Sequence, residues 1–203
     1  MSEAKRPKRY DRAYFDRWYR SGKSRIEGNA ALRRRVALAV AITERYLERP
    51  IRSALDVGCG EARWRAELLR LRPKLTYRGI EPSEYAVERY GKSRQIVRGG
   101  VADLPALGLH GPFDLVICAD VLHYLNDAEL RSAVPELARR TAGAAYLEVL
   151  TSEEEIEGDK RALNLRSSAL YRQLFAAAGL TDVGSHIWLS PGLAEVPAAL
   201  ERR

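Results

Sequence analysis

A short glycine-bearing segment, Leu55 to Ala62, carries the sharpest chemical signal in the chain. Gly58 and Gly60 permit a backbone with positive φ and let a ligand come close to main-chain atoms. Asp56 precedes them, and a helix that begins after them would offer unpaired N–H groups. A dinucleotide fingerprint of the form GxGxxG requires glycine or alanine at position 63, where the bulky Arg63 stands. The segment therefore predicts a site for a nucleotide-like cofactor. Arg63 disfavours the close approach of a pyrophosphate group.

Two more carboxylates follow later β-favouring stretches of the chain. Glu81 ends the second such stretch, where a carboxylate can accept hydrogen bonds from both ribose hydroxyls. Asp103 follows the third stretch, where it can accept from the adenine amino group while Leu104 packs on the ring. Each residue alone also fits an ordinary turn or surface position. Their order and spacing together predict a site for an adenosine moiety.

These residues together resemble the class I S-adenosylmethionine-dependent methyltransferases, particularly those that act on small molecules, over a core of about residues 53–184. The family's first motif is an acidic residue followed by GxGxG, and Ala62 replaces the third glycine here. The resemblance implies S-adenosylmethionine as the cofactor, S-adenosylhomocysteine as its product and no metal. The cofactor contacts that it implies are Asp56, Gly58, Gly60, Glu81, Asp103, Leu104 and Ala119.

Methyl transfer from a sulfonium is a direct displacement, so the protein has to hold the acceptor in line and exclude water. A hydroxyl or a protonated amine acceptor benefits from a base, and His123, after the fourth predicted strand, is the candidate. An equally weighted alternative is that His123 caps the loop or packs near the cofactor. Glu148, late in the fifth predicted strand, is a candidate for the substrate side, against the alternative of a satisfied strand-end carboxylate.

Aromatic side chains near the start of the chain form a second candidate part of the site. Tyr14, Trp18 and Tyr19 recur at helical spacing on one face of residues 10–20. Helices before the first strand often cover the cofactor in this family, so the resemblance implies a lid. As an amphipathic stripe the three residues fit the core equally well. Tyr124 belongs to residues 121–125, where the resemblance implies the beginning of the substrate side.

The elements that must position these residues alternate between strand and helix. The predicted strands are 53–57, 75–80, 95–98, 113–119, 144–150 and 183–189. The predicted helices are 10–20, 29 to near Pro50, 62–71, 82–90, a segment from Asn126 that breaks at Pro135, and 167–178. This rhythm predicts an α/β fold with a doubly wound, mainly parallel sheet, in which ligands bind beyond the carboxyl ends of the strands.

Length and composition favour a single domain. The 203 residues suit one compact domain, with a helical cap over 1–50, an α/β core over 51–190 and a tail over 191–203. Only residues 190–203 follow the last predicted strand, so the family's final antiparallel strand is not predicted here. The basic start lacks the apolar region of a secretory signal, and residues 36–42, the longest apolar run, are too short for a bilayer, which predicts a cytoplasmic protein. Two dispersed cysteines, Cys59 and Cys118, predict neither a disulfide framework nor a zinc site.

The distribution of charge along the chain is compatible with more than one function. Residues 1–36 contain twelve Lys and Arg against four Asp and Glu, although the whole chain carries only +7. The leading interpretation is an enzyme that methylates a small molecule. The basic region supports the alternative of an RNA (tRNA) methyltransferase, with nucleic acid as the less favoured partner, and a third alternative is a non-catalytic cofactor-binding module. The acidic run Glu153 to Asp159 favours a cationic acceptor or is a solvated loop.

Overall fold

The computed structural model describes residues 10–20, 28–155, 162–193 and 195, within which seven strands form one mixed sheet. The strands are β1 (Ser53–Val57), β2 (Thr76–Glu81), β3 (Ile96–Arg98), β4 (Phe113–Ala119), β5 (Thr141–Glu148), β6 (Thr181–Asp182) and β7 (Ile187–Leu189). Their order is β3-β2-β1-β4-β5-β7-β6. The first five strands pair in parallel, and β7 is antiparallel to β5 and β6. The doubly wound, mainly parallel sheet predicted from the sequence is confirmed.

Helices connect the strands on both sides of this sheet. The helices in the described residues are α1 (Arg12–Phe15), α2 (Asn29–Leu47), α3 (Arg63–Leu71), α4 (Glu84–Arg94), α5 (Asp127–Arg139) and α6 (Ser168–Ala177). A π-helical turn over Asp16–Arg20 continues α1. Side-chain caps fix two of the starts, since Ser83 Oγ accepts from Ala86 N at 3.1 Å and Ser167 Oγ accepts from Leu170 N at 3.2 Å. None of these helices is long and apolar enough to span a membrane.

The predicted break at Pro135 is wrong, because α5 runs through this residue without interruption. A capping box fixes its start: Asn126 Oδ1 accepts from Glu129 N, and the Glu129 carboxylate accepts from Asn126 N. An interior proline costs a helix about 3 kcal/mol. Leu130 and Leu137 are fully buried, and burying such a side chain contributes about 1.5–3 kcal/mol each. Packing on the sheet therefore outweighs the lost backbone hydrogen bond.

The end of the sheet differs from the single strand that was predicted over 183–189. The structure instead forms a hairpin between β6 and β7, which supplies the antiparallel end of the sheet. Gly184, Ser185 and His186 all have positive φ, and they reverse the chain direction between the two strands. Val183 N donates to Ile187 O at 3.0 Å across this turn. The apolar residue at 183 continues the strand pattern and so hides the turn in the sequence.

The two faces of the sheet bury separate apolar clusters, as the alternation along the central strands requires. In β4, Val116 and Cys118 belong to the cluster under α5 and α6. Leu115 and Ile117 belong to the opposite cluster, together with residues of α2 and α3. A strand that is covered on both faces has a nearly continuous run of apolar residues. This run explains why the predicted bounds of β4 agree with the observed ones.

Strand order places the candidate site. The chain moves outward from β1 to β2 and β3, then returns to the other side of β1 with β4. Strand order therefore reverses between β1 and β4, and in open α/β sheets the crevice beyond the carboxyl ends at such a point is where ligands bind.

Candidate cofactor and acceptor site

A cavity of about 450 Å³ opens at this point of the sheet. Its walls come from the turn after β1, the ends of β2, β4 and β5, residues 10–19 and one face of α2. The volume lies within the range of ordinary small-molecule sites. The cavity walls include most of the residues predicted from the sequence: Tyr14, Trp18, Tyr19, Asp56, Gly58, Gly60, Glu81, Ala119, His123, Tyr124 and Glu148.

The turn after β1 forms one wall of the cavity. Gly58 N and Cys59 N both donate to Ile80 O, at 2.8 and 3.1 Å, which fastens the turn to the end of β2. Gly58 and Gly60 have φ values of +72° and +54°, in the left-handed region that favours glycine. A Cβ atom on Gly58 would overlap Cγ2 of Val121. A side chain at position 58 would therefore push Val121 out of its place in the wall.

Ala62 occupies the position of the motif's third glycine. Its φ is +54°, and its N–H donates to Cys59 O at 2.8 Å before α3 begins. A left-handed backbone costs a residue with a Cβ about 1–2 kcal/mol. The turn therefore keeps its shape at this position without glycine, at a small cost in stability.

Glu81 connects the end of β2 to the glycine turn. Its Oε2 accepts from Gly60 N at 2.7 Å, and its Oε1 accepts from Ser83 N at 3.0 Å. Burial raises the pKa of this carboxyl, while the two backbone hydrogen bonds act in the opposite direction. Each carboxylate oxygen has a second lone pair, so Glu81 can still accept from a ligand hydroxyl in the cavity.

Asp56 is a second buried carboxyl of the cavity wall. Tyr77 Oη donates to Asp56 Oδ2 at 2.7 Å. Burial raises the pKa of Asp56 to about 7, the Tyr77 hydrogen bond lowers it, and the charge of Glu81 raises it further. A bound cation would favour the ionised form of Asp56, so the charge state of this wall depends on what binds there.

The structure places the two predicted adenine contacts, Asp103 and Leu104, outside the cavity wall. Leu104 is fully buried in the apolar core and does not line the cavity. Asp103 lies at the surface, where its carboxylate accepts from Gly100 N at 2.7 Å and caps a short 3-10 turn. Gly100 and Val101 line the cavity in their place. The carboxylate was predicted from its position after β3, but the local turn uses it as a cap.

Residues 10–20, here called the cover segment, lie over the glycine turn. A Cβ atom on Gly60 would overlap the Tyr19 hydroxyl, and Phe15 also packs against this position. Burial raises the pKa of Tyr19 well above its ordinary value, with Tyr14 and Glu81 raising it further. The predicted lid residues therefore do line the cavity, and the buried Phe15 lines it with them.

Polar contacts attach the cover segment to the core at both of its ends. Ser83 Oγ donates to Tyr10 O at 2.6 Å. At the other end, Arg20 pairs with Glu61 and donates to Tyr90 Oη at 3.0 Å. Both anchor points belong to the elements that carry the glycine turn and Glu81, so the cover segment is attached to the cofactor side of the cavity.

The opposite side of the cavity is formed by the ends of β4 and β5. Glu148 pairs with Arg35 of α2 and accepts from Tyr146 Oη at 3.3 Å. The Arg35 guanidinium also lies 5.9 Å from the centroid of the Tyr146 ring. Asp120 follows β4 with a φ of +59°, and its N–H donates to Glu148 O at 3.0 Å. Two carboxylates and one guanidinium therefore line this side.

His123 has a geometry that bears on its predicted role. Its ring is fully buried, and Nδ1 accepts from Leu150 N at 3.1 Å. A neutral imidazole that accepts through Nδ1 carries its proton on Nε2. Neutral His123 therefore acts as a donor through Nε2, which argues against the role of proton acceptor and favours the alternative of a residue that packs in the wall.

Arg166 holds together the loops that follow β4 and β5. It pairs with Asp127 at the start of α5 at 2.6 Å and donates to Leu125 O at 2.8 Å. Asn164 N donates to His123 O at 2.8 Å beside it. These bonds fix the loop that carries His123 and Tyr124 against the connection between β5 and α6.

Sequence reasoning missed Arg35 and Asp120 as cavity residues. Arg35 is one of three consecutive arginines on α2, and nothing in the sequence separates it from its neighbours. Asp120 directly follows the central buried strand β4, and this position is a signal that could have identified it. Its positive φ is a feature that only the structure shows.

Several other expectations concern chemistry outside this cavity. Cys59 and Cys118 are both free and buried, and burial raises the pKa of each thiol. No group of three His, Cys, Asp or Glu within the described ranges is arranged to hold a metal ion. In the acidic run, Glu153 accepts from Ser168 N at the start of α6, and Glu154 accepts from Thr151 N in a local turn. The arm at residues 1–9 and the acidic residues Glu157 and Asp159 lie outside the described residues.

Comparisons with known proteins agree with this geometry. Residues 54–142 match the model of a family described as a methyltransferase domain. The chain is 30% identical over 125 residues to nodulation protein S of Rhizobium tropici, covering 61% of this chain and 52% of that protein. The chain therefore spans about half the length of the curated relatives that it matches.

Solved structures share the fold. The sugar N-methyltransferase KedS8 from Streptoalloteichus has a TM-score of 0.63 at 20% identity, over 83% of this chain and 90% of that one. CalS10, an amino pentose methyltransferase from Micromonospora echinaspora, has a TM-score of 0.59 at 18% identity, over 78% of this chain and 90% of that one. At these identities the similarity is one of fold.

Proposed function

We propose that this chain is a class I S-adenosylmethionine-dependent methyltransferase, and that it transfers a methyl group from S-adenosylmethionine to a small-molecule acceptor held in the 450 Å³ cavity. The observation that carries the proposal is the joint placement of the glycine turn and Glu81 in one wall. Gly58 and Gly60 keep the turn free of side chains, and Glu81 offers buried carboxylate oxygens to the ribose.

The residues present fit the adenosyl group. Gly100 and Val101 line the cavity next to the end of β3, where the adenine would lie, and Ala119 contributes a small side chain at the end of β4. Asp56 and Glu81 place two carboxyl groups near a ligand that carries a sulfonium and an ammonium charge. Bound S-adenosylmethionine supplies an electrophilic methyl group, so the protein needs no covalent nucleophile of its own.

The chain's own residues contribute positioning and exclusion of water. The cover segment lies over the cofactor side and limits access of solvent to it. Glu148 and Asp120 line the acceptor side, where their oxygens can accept hydrogen bonds from an amine or a hydroxyl. An acceptor nitrogen attacks as the neutral amine and becomes positively charged as it gains the methyl group. A nearby carboxylate stabilises this positive charge.

We propose an amino group on a sugar-like compound as the acceptor class. Two carboxylates in the acceptor wall suit a ligand with an amine and several hydroxyl donors. KedS8 and CalS10 share the fold, and their descriptions as sugar N-methyltransferase and amino pentose methyltransferase support the same class. Methylation of RNA remains the competing proposal, and binding to tRNA with a steep salt dependence would favour it.

Calorimetric titration tests the proposal at its base. The purified protein is titrated with S-adenosylhomocysteine and, separately, with NAD, and we expect binding of the first ligand only. Preferential binding of NAD would contradict the proposal.

Methyl transfer from labelled S-adenosylmethionine to D-glucosamine, with D-glucose as the matched compound without an amine, then tests the acceptor class. Transfer to D-glucose at an equal rate would contradict the amine preference.

A further inference from the structure

Trp18 carries a hydrogen-bond donor that the protein itself does not satisfy. Its indole is only 7% exposed and lines the cavity. Its Nε1–H has no hydrogen-bond acceptor within the described part of the chain. The large majority of buried side-chain polar atoms in proteins have a partner, and leaving one without a partner lowers stability. A ligand that brought an acceptor to Trp18 would remove this cost.

The charges near this donor favour an anionic acceptor. The Arg17 guanidinium lies 4.9 Å from the centroid of the Trp18 ring. Arg63, the first residue of α3, lines the same cavity. The amino end of α3 also begins directly after the glycine turn, and helix N-termini favour negative charge. A carboxylate is a common ligand group that accepts from an indole N–H and is favoured by a nearby guanidinium and a helix N-terminus.

The cover segment contributes both Tyr19 and Trp18 to the cavity wall. Phe15 and Tyr19 lie against Gly60, on the side where Glu81 accounts for the ribose. Trp18 belongs to the same segment and lines the same cavity, as does Leu32 of α2. The group of the cofactor that Glu81 leaves without a partner is its aminoacyl tail, which carries a carboxylate.

We propose that Trp18 Nε1–H donates a hydrogen bond to the tail carboxylate of S-adenosylmethionine and of its product. Trp18 then distinguishes the intact cofactor from adenosyl compounds that lack this carboxylate. The inference rests on the proposed function and extends it, because it assigns the residue that recognises the tail. It also explains why a buried indole with an unsatisfied donor stands in the cavity wall.

A two-by-two comparison of binding tests this assignment. The unaltered protein and the variant Trp18→Phe are each titrated with S-adenosylhomocysteine and with 5′-deoxy-5′-(3-aminopropylthio)adenosine, which differs only in lacking the carboxylate. We expect the unaltered protein to prefer S-adenosylhomocysteine by at least about tenfold. We expect Trp18→Phe to weaken that ligand about tenfold and to change the affinity for the amine by less than about twofold.

Trp188→Phe is the matched control, since Trp188 is buried in the core and does not line the cavity. We expect it to leave both affinities unchanged, and circular dichroism verifies that both variants fold. Equal weakening of the two ligands by Trp18→Phe, or no weakening of either, would overturn the assignment while S-adenosylhomocysteine still binds the unaltered protein. Failure of the unaltered protein to bind S-adenosylhomocysteine would instead overturn the proposed function, and this inference with it.

Discussion

The cofactor side and the acceptor side of the cavity are assembled in different ways. On the cofactor side, Asp56, Gly58, Gly60 and Glu81 lie close together in the sequence, and backbone hydrogen bonds to Ile80 and Glu81 fix the turn. On the acceptor side, Arg35 and Glu148 are 113 positions apart and meet through their side chains.

This difference has a physical consequence. The shape of the cofactor side depends on backbone hydrogen bonds and on glycines with positive φ. We therefore expect it to tolerate few substitutions at those positions. Side-chain pairs such as that of Arg35 with Glu148 can be replaced without altering the sheet. The acceptor side is therefore where related proteins can change specificity, and the expected effects of substitution differ between the two sides.

The largest effect is expected from Gly58→Ala. Its Cβ would overlap Val121, and its φ of +72° is unfavourable for alanine by about 1–2 kcal/mol. We expect affinity for S-adenosylhomocysteine, measured by calorimetry, to fall at least about 100-fold, since the turn has to open. Gly28→Ala is the control, because a Cβ there meets no atom within 4 Å. A folded Gly58→Ala protein with unchanged affinity would remove the turn from the site.

Removing the charge of Glu81 should have the next largest effect. In Glu81→Gln the amide group cannot accept from both Gly60 N and Ser83 N, and it accepts fewer bonds from a ribose. Hydrogen bonds to a charged group contribute about 1.5–3 kcal/mol, so we expect about 30-fold weaker S-adenosylhomocysteine binding. Glu84→Gln, at the exposed start of α4, is the matched control. Equal affinities of the two variants would argue against a ribose contact at Glu81.

Asp56 predicts a dependence of cofactor binding on pH. Its pKa is raised to about 7, chiefly by burial, so the carboxyl is protonated in the free protein below that pH. A cationic ligand favours the ionised form, and we expect S-adenosylmethionine to bind about tenfold more tightly at pH 8 than at pH 6. The free protein should lose stability as pH rises from about 4 to about 7, because only the unfolded chain ionises fully there. Asp56→Asn should abolish both dependences, and a variant that retains them would contradict this account.

On the acceptor side, Arg35→Met should affect stability more than cofactor binding. The substitution leaves the partly buried Glu148 without its guanidinium partner, which we expect to lower the free energy of unfolding by about 1–2 kcal/mol in urea. S-adenosylhomocysteine affinity should change by less than about twofold. Arg33→Met, which removes a more exposed pair with Glu67, should lower stability by less than about 1 kcal/mol. A large loss of cofactor affinity in Arg35→Met would show that the two sides are not separate.

The smallest effect is expected from Ala62→Gly, which restores the motif's third glycine. Relief of the left-handed backbone strain stabilises the turn by about 1 kcal/mol. The extra freedom of glycine in the unfolded chain offsets about 0.4–1 kcal/mol of this. We expect the melting temperature and the affinity for S-adenosylhomocysteine to be almost unchanged. A fall in affinity of more than about fivefold would mean that the Ala62 Cβ contacts the ligand.

The sequence predicts the cofactor side of the cavity better than the acceptor side. Gly58, Gly60 and Glu81 were predicted because the βα turn and the strand end are local features with characteristic residue types. Arg35 was missed because its position in the cavity depends on how α2 packs across the sheet. His123 was found by its position, but its hydrogen bond to Leu150 N is a tertiary contact that the sequence does not show.

The fold shows the same division between local and distant information. The strand bounds of β4 follow from its apolar run, and the parallel order follows from the alternation of elements. Pro135 was predicted to break α5 because the sequence does not show how much apolar surface the helix buries. The hairpin at the end of the sheet was missed because Val183 continues the apolar pattern through its turn. Asp103 was assigned to adenine because the sequence does not show that its carboxylate accepts from Gly100 N and caps the local turn.

A crystal structure of the protein with S-adenosylhomocysteine tests the central claim most directly. The account predicts that the ligand's sulfur and ribose lie over the turn at Gly58 to Gly60, with the ribose hydroxyls donating to Glu81. A ligand bound elsewhere, or a Glu81 carboxylate that makes no contact with it, would contradict the account.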